Sequence, residues 1–575
     1  MISRVDRIRK IKENPRPSVL IIGAGINGIG TFRDLALQGI DVVMVDRGDY
    51  CSGASAASSH MVHGGIRYLE NGEFRLVKEA VQERNRLIEN SPHLVKPLAT
   101  TFPIFKWFSG LLNAPLKFLG LLEKPAERGA IVIKLGMLMY DTFTRHQKTV
   151  PKHVFKNRKQ SLALFPDLNP DVIFTGTYFD GAMPSPERIA MELIQDALAE
   201  NDQAIPLNYV SLESASGSTV SLRDEVTAES IDVQPKMVIN AAGPWIDLVN
   251  HKMGEATRCI SGTKGSHLVL NHPRLLQAIG EHEFFFENDD GRIVLIFPLL
   301  DRVMIGTSDI RIDDPDNVVI SEEEVDYFFN MIRRVFPDIQ VDRSHIVYTF
   351  SGVRPLQRTE GGAASQISRD HKVYSREADE TLHFPILSLV GGKWTSFRAF
   401  SEQVADLVLE RLGAARKAST RDLQIGGSRG LPASTLEREA YCRNLIEGFP
   451  IEKERLIQLV DMYGTNVEGL LEKFGSELAA MLQTVPDMSV AELRQFILEE
   501  DVVHLDDLIL RRTMLGKLGK TTQESLQEIS GICGEILGWS VEKTTSEVDR
   551  FIELLKRDHK MNYNVYLERT KPRET

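Results

Sequence analysis

The 575-residue chain reads as an α/β protein in three parts. An N-terminal parallel sheet of Rossmann type is interleaved with a β-rich region, and an all-α part follows. Three observations predict this. A buried strand, a glycine turn and a helix start run together in Val19-Leu20-Ile21-Ile22-Gly23-Ala24-Gly25-Ile26-Asn27-Gly28. Residues 255–350 carry short apolar or alternating runs bounded by turn residues, the pattern of strands. Beyond a polar, loop-like stretch at 417–433, apolar residues recur at helical spacing to the end of the chain.

The first βαβ unit occupies about residues 18–47. In it Gly23 permits a tight turn, Gly25 lets the backbone approach a pyrophosphate, and Gly28 lets helix and strand pack closely. The first N–H groups of the helix lack internal partners, and the helix dipole favours an anion there. A second strand, Val42–Val45, delivers Asp46, 18 residues after Gly28. There a carboxylate can accept both hydroxyls of an adenosine ribose. The competing reading is a glycine-rich turn with no ligand; strand, helix and acid in one unit favour a dinucleotide.

Gly53-Ala-Ser-Ala-Ala-Ser58-Ser59-His60-Met-Val-His63-Gly64-Gly65-Ile66-Arg67-Tyr68-Leu69 comes next. Small residues here let amides and hydroxyls line more of a pyrophosphate. His63-Gly64-Gly65 then brings an imidazole and bare backbone up to a flat ring. An extended cofactor bound in this way looks like FAD.

A helix is expected from about Glu73 to Asn90, with Phe74, Val77, Val81 and Leu87 on its apolar face. The stretch 102–122 is rich in Phe, Leu and Trp with isolated lysines. It suits a bilayer interface and equally a core-packed loop or helix. A helix over 186–200 precedes strands around 205–240, and Met237–Asn240 ends in a second small-residue turn, Ala241-Ala242-Gly243-Pro-Trp245. Strands are expected at 266–270, 291–299, 303–306 and 345–350, and then at 386–392 before a helix from about Thr395 to Leu412, stopped by Gly413. The C-terminal helices are expected at 434–447, 453–462, 466–473, 490–499, 504–515, 522–537 and 542–557.

The net charge of −12 argues against a nucleic-acid-binding surface. Four widely spaced cysteines, Cys51, Cys259, Cys442 and Cys533, form no CxxC, which fits a reducing compartment and no structural metal. Cys51 reads as a small buried residue. No segment has the ~18 consecutive apolar residues of a membrane span, and the basic first 17 residues are not a signal peptide.

His63, in a glycine-flanked turn, is placed beside the reactive edge of a flavin, either as a base or as a hydrogen-bonding group. Arg67 and Tyr68 follow it into the same cavity. Arg354, read as ending an apolar strand at Pro355, Arg369 and Lys393 enter from separate segments. Cations on rigid element ends suit an anionic substrate, since Arg forks match phosphate oxygens. The bland alternative is that each pairs with a carboxylate, which is strong for Arg369 beside Asp370. Gly306-Thr307-Ser308-Asp309 reads as a structural turn rather than a substrate wall. Arg511 and Arg512 read as ion-pair partners.

With these stretches in hand, the chain resembles the FAD-dependent glycerol-3-phosphate dehydrogenases, within the D-amino-acid-oxidase-like flavoproteins. HGGIRYLE, SGVRPL and GGKWTSFR, in that order, carry the resemblance, with Tyr178–Gly181, Asn240–Trp245, Lys264–His267 and Leu505–Thr513; it spans about 18–540. It implies a glutathione-reductase-type FAD-binding Rossmann domain (about 18–100, 180–255 and 350–415 within 1–415), an interleaved β-sheet substrate domain (about 100–180 and 255–350) and a helical domain over 430–575. It implies oxidation of sn-glycerol 3-phosphate to dihydroxyacetone phosphate. Hydride would leave C2 for flavin N5, and electrons would pass to membrane quinone.

The implied substrate pocket holds Arg67, Tyr68, Arg354, Arg369 and Lys393, with His63 and Arg354 handling the hydroxyl proton. The implied cofactor contacts are Gly23, Gly25, Asn27, Gly28, Asp46, Arg47, Ser52, Ser58, Ser59, His63, Gly64, Gly65, Ala242, Gly243, Trp245, Gly352, Gly392, Lys393, Trp394 and Thr395. The chain departs from the family at His60 and Asp46, where Lys and Glu are usual, and at Met183–Pro186, expected beside the substrate. A cytoplasmic enzyme resting on the inner face of the cell membrane is the implied setting, with a homodimer held open. The alternative is an FAD oxidase of the same fold, using O2 on another hydroxy or amino substrate.

Overall fold

The computed structural model describes residues 3–65, 74–107, 130–144, 149–287, 293–358 and 370–561. Val19–Ile22 is the centre of a six-stranded sheet. Its order is Lys372–Arg376, Ile386–Val390, Met237–Asn240, Val19–Ile22, Val42–Val45, Ala204–Leu207. All neighbours are parallel except the edge pair, Lys372–Arg376 against Ile386–Val390. Val19–Ile22 and Val42–Val45 at its middle are wholly apolar and buried because both faces are covered, whereas the edge strand Lys372–Arg376 is polar and largely exposed. Val19 and Ile21 pack with the helices Ile26–Leu37, Pro186–Glu200 and Phe397–Leu412. Leu20 and Ile22 pack the other way, against a three-stranded antiparallel sheet (Val210–Ser216, Thr219–Asp224, Ser230–Val233) and Ile8 and Ile11 of an N-terminal helix.

A ten-stranded sheet faces this assembly. It unites Met61–Val62, Lys96–Ile104, Val154–Asn157 and Phe174–Ala182 with Ile260–Leu270, His282–Glu287, Ile293–Leu299, Arg302–Gly306, Ile310–Ile312 and Ile346–Gln357. One face packs Phe284, Phe286 and Ile296 against the helix Glu322–Val335. The other packs Phe297, Leu299 and Val347 on the C-terminal helices, and turns Phe285, Ile293 and Leu295 towards a cavity.

The helices expected at Pro186–Glu200 and Val490–Glu499 have those bounds, and Thr435–Gly448, Lys453–Tyr463, Val467–Phe474, Gln523–Leu537 and Val541–His559 lie within two residues of theirs. Ser434, Ser489 and Thr522 cap three of them with reciprocal side-chain and backbone bonds. Four expectations change. The helix read over 504–515 shrinks to a wide-turned Asp507–Arg512. The helix after Lys393 begins at Phe397, because Lys393–Ser396 form a turn. The strand at 345–350 runs on to Gln357, so Arg354 lies within it. Pro355 is tolerated because this strand pairs only with Ile260–Leu270 among the described strands, and an edge asks for no second ladder bond. Finally, Phe102 and Ile104 sit buried in the sheet and cannot meet lipid. The rest of the apolar stretch, from 108 to 122, lies outside the described residues.

Candidate active site

A cavity of about 820 Å³ lies between the C-terminal ends of the central parallel strands and the apolar face of the ten-stranded sheet. Ligand sites of roughly 300–1,000 Å³ are usual, so it can take an extended molecule. The glycine turn forms one end. A Cβ on Gly28 would stand 1.9 Å from the Gly23 carbonyl oxygen, so strand and helix touch here as only glycine allows. The helix starting at Ile26 has Gly25 as its N-cap, and the Ile26 N–H donates to Ser55 Oγ at 2.9 Å. Asp46 reaches back to the turn: Oδ2 accepts from the Ala24 N–H at 2.7 Å and Oδ1 from the Gly48 N–H at 2.9 Å. Burial pushes its carboxyl up to about 6, against the pull of those two amides.

The outer rim is closed by a strap. Arg47 lies 4.6 Å over the Trp245 ring, and both Arg47 Nη2 (2.7 Å) and Trp245 Nε1 (2.9 Å) donate to Asp316 Oδ1. Asp316 belongs to the loop after Ile310–Ile312, so the strap joins the two sheets.

His63, Lys393 and Arg354 line the same cavity. The His63 N–H donates to Thr395 Oγ1 at 3.2 Å. Asn27 Nδ2 donates to the Gly391 carbonyl at 3.1 Å, and Trp394 Nε1 to the Ser55 carbonyl at 3.0 Å. These bonds tie the Gly391–Thr395 loop to the glycine turn. Arg354 donates to Thr307 Oγ1 (2.7 Å), the Ser308 carbonyl (3.1 Å) and Asp309 Oδ1 (3.3 Å). The Thr307–Asp309 turn therefore lines the cavity and holds the arginine, beyond the structural role expected of it.

Of the remaining expected residues, Gly23, Gly25, Asn27, Arg47, Ser52, Ser58, Ser59, Gly65, Ala242, Gly243, Trp245, Gly352, Gly392, Trp394 and Thr395 also line the cavity. Gly28 and Gly64 stand behind its wall, packed on Gly23 and on Tyr140. Arg67, Tyr68 and Arg369 lie outside the described residues. Met183–Pro186 does not reach the cavity: Met183 is buried in the core, and the Pro184 carbonyl bonds the His60 ring at 2.7 Å. The departure at 183–186 therefore bears on core packing rather than on the ligand.

Sequence reasoning missed His267 and Asp180. His267 lines the cavity, stacks on Phe350 (4.7 Å between centroids, 9° between planes) and bonds Ser59 Oγ through Nε2 at 2.9 Å. Burial, with Arg354 and Lys517 nearby, drives its pKa down to about 3 and keeps the ring neutral. The only signal was its place in Lys264–His267, a stretch quoted without a role. Arg511 and Arg512 are the ion-pair partners expected, both meeting Asp49.

Residues 18–380 match a family described as FAD dependent oxidoreductase, and residues 418–544 match the C-terminal domain of alpha-glycerophosphate oxidase. A glycerol-3-phosphate dehydrogenase of Synechocystis sp. is 31% identical over 95% of this chain and 97% of its own length. The chain belongs to the FAD-dependent glycerol-3-phosphate dehydrogenase family. An aerobic glycerol-3-phosphate dehydrogenase of Staphylococcus aureus is 27% identical over 95% of this chain and 96% of its own. A solved glycerol-3-phosphate dehydrogenase from Bacillus halodurans, complexed with FAD, shares the fold: TM-score 0.73 at 22% identity, over 97% and 98% of the two chains.

FAD is the cofactor of this family, and the residues here fit it. Gly23, Gly25 and Gly28 carry no side chains of their own, which leaves the backbone of the turn open to close approach by a pyrophosphate. Asn27 Oδ1 and His267 Nδ1, both in residues of the cavity wall, are buried with no hydrogen-bond partner. Most buried polar atoms have a partner, and a ligand in the cavity would supply one to these two.

Proposed function

We propose that this protein oxidises sn-glycerol 3-phosphate to dihydroxyacetone phosphate and passes the electrons to a membrane quinone. The observation that carries the substrate is the convergence of Arg354, Lys393 and His63 on the cavity that begins at the glycine turn. FAD, when bound, supplies the two-electron redox chemistry. The turn at Gly25 and the helix start at Ile26, with Ser55 beside it, would hold its pyrophosphate, and Asp46 its ribose. Arg354 and Lys393 grip the phosphate of the substrate. A guanidinium has five N–H donors, enough to hold the Thr307–Asp309 turn and an anion together. Gly265 leaves it room, since a Cβ there would stand 2.2 Å from Arg354 Nη2. His63 takes the proton of the C2 hydroxyl on a ring nitrogen. Fixing both ends of a three-carbon phosphoester supplies much of the rate.

Two parts of this reading concern the surroundings. Among the described residues no helix is long and apolar enough to cross a membrane. Contact with a cytoplasmic membrane face is proposed through the stretch that begins at Trp107, which is 51% exposed and packs edge-on against Phe174. The match of residues 418–544 to an oxidase domain favours O2 as the alternative acceptor.

Anaerobic addition of glycerol 3-phosphate should bleach the bound flavin; an unbleached spectrum rules the substrate out. Reoxidation by a quinone analogue without peroxide supports the dehydrogenase, and stoichiometric peroxide in air the oxidase.

A further inference from the structure

Asp180 has no assigned role, yet it lies where the ten-stranded sheet meets the reaction centre. Met61–Val62 pairs antiparallel with Phe174–Ala182, Met61 opposite Ala182 and Val62 opposite Gly181. The next step of that register sets His63 against Asp180. We propose that Asp180 is a positioning residue: its carboxylate holds the peptide between His63 and Gly64 and so sets where the His63 imidazole stands on the cavity wall.

The contacts are specific. Asp180 Oδ1 accepts from the Gly64 N–H at 3.0 Å, from Tyr140 Oη at 2.7 Å and from Arg84 Nη1 at 3.1 Å. Tyr140 Oη also accepts from the Gly64 N–H at 3.0 Å and from Arg84 Nη1 at 2.8 Å. One backbone amide thus faces two oxygens of one hydrogen-bonded network. Arg84 is held in turn by the Phe179 carbonyl and by Asn85 Oδ1. The backbone is pressed straight onto this network: a Cβ on Gly64 would stand 2.1 Å from Tyr140 Oη and 2.4 Å from Val81 Cγ2. In the preceding peptide, Thr395 Oγ1 takes the His63 N–H at 3.2 Å. Successive amides of the turn are therefore fixed by two separate elements.

Stability does not explain the arrangement. The Asp180 and Arg84 side chains are both 0% exposed, and a buried ion pair often gains nothing over apolar side chains of the same volume. What apolar side chains could not do is offer an anionic oxygen to the Gly64 amide.

The inference rests on the proposed part of His63 in the reaction, and its test has one arm that does not. Tyr140→Phe removes one oxygen and keeps the ring; Asp180→Asn keeps the shape and removes the charge. Both are purified with FAD. The readouts are kcat and KM for glycerol 3-phosphate, the visible circular dichroism of the bound flavin, and Tm.

We expect Tyr140→Phe to lower kcat about fivefold, the worth of one hydrogen bond, and Asp180→Asn more than tenfold. KM should stay within about twofold and the dichroism should change in the same order. A network serving stability alone would lower Tm and leave kcat and dichroism at parental values, and that result overturns the proposal. If Asp180→Asn fails to accumulate, Tyr140→Phe alone decides. The dichroism needs no substrate, so it still decides if the parent flavin is not bleached by glycerol 3-phosphate. That second result would sink the substrate and leave the positioning role standing.

Discussion

Replacing Asp316 with alanine should speed the release of FAD and leave the saturated enzyme's turnover unchanged. Asp316 is the one acid in the strap over the cavity rim, taking Arg47 Nη2 at 2.7 Å and Trp245 Nε1 at 2.9 Å on the same oxygen. Burial pushes its carboxyl up, but the hydrogen bonds from Arg47 and Trp245 outweigh that and hold it below the usual carboxylate range. The Arg47 and Asp316 side chains are 54% and 42% exposed, so their attraction is worth at most about 1 kcal/mol. The indole bond to a carboxylate adds about 1 kcal/mol at such a site. Losing both, about 1–2 kcal/mol, is a factor of about 5–30 in rate at ~1.4 kcal/mol per decade.

The assay is stopped-flow recovery of flavin fluorescence on dilution into an FAD trap. High salt should speed the parent towards the variant, because an exposed pair is screened within about 3 Å at 1 M ionic strength. An unchanged release rate refutes the strap. A parent rate that ignores salt refutes its electrostatic origin.

Three further outcomes follow from buried carboxylates. Burial holds the Asp46 carboxyl at about 6, and only the ionised form accepts both ribose hydroxyls. FAD affinity, measured by fluorescence titration of the apoprotein, should therefore weaken as pH falls through 6; a flat profile from pH 5 to 8 would count against Asp46. Burial raises Glu283 to about 8, from an ordinary value of 4.5, against a hydrogen bond from Thr100. The folded state then binds a proton that the unfolded state releases, so this group costs stability progressively from about pH 4.5 up to pH 8 and no more beyond. Glu283→Gln should raise Tm at pH 8 and bring little change near pH 5, and equal gains at both pH values would contradict the assignment. Asp49→Asn leaves Arg511 and Arg512 short of a buried partner, a loss of about 3–5 kcal/mol. Its urea midpoint should fall well below the parent's; an unchanged midpoint would show the network to be dispensable.

Much of this architecture is legible in the chain because the signals are local. Val19–Ile22 is uniformly apolar, Gly23, Gly25 and Gly28 are spaced for one turn, and Asp46 closes the next strand. Gly413 ends the helix Phe397–Leu412 with a φ of +66°. What was not legible depends on pairing across distance. Lys96–Ile104 and Phe174–Ala182 lie far apart in sequence yet form a nine-residue antiparallel ladder. That ladder, with Met61–Val62, places Asp180 beside Gly64. His267 and Thr307 likewise reach the cavity from strands whose order no local pattern encodes. Arg354 misled for a simpler reason: Pro355 is a strong stop signal, and only the open edge of its strand makes it harmless.

The junction at Asp49 bears on how the enzyme can be subdivided. Asp49 is wholly buried and receives Arg511 Nε at 2.5 Å and Arg512 Nη1 and Nη2 at 2.6 and 2.9 Å, while Tyr50 Oη donates to Asp501 at 2.8 Å. These partners belong to the C-terminal helices, and they grip the loop that begins at Asp46. A recombinant fragment stopping at the polar stretch near residue 417 would retain every cavity-lining residue and still strand an anion without its counter-charges. Such a fragment is expected to fold poorly by itself, because the loop that seats the coenzyme draws its counter-charges from the helices.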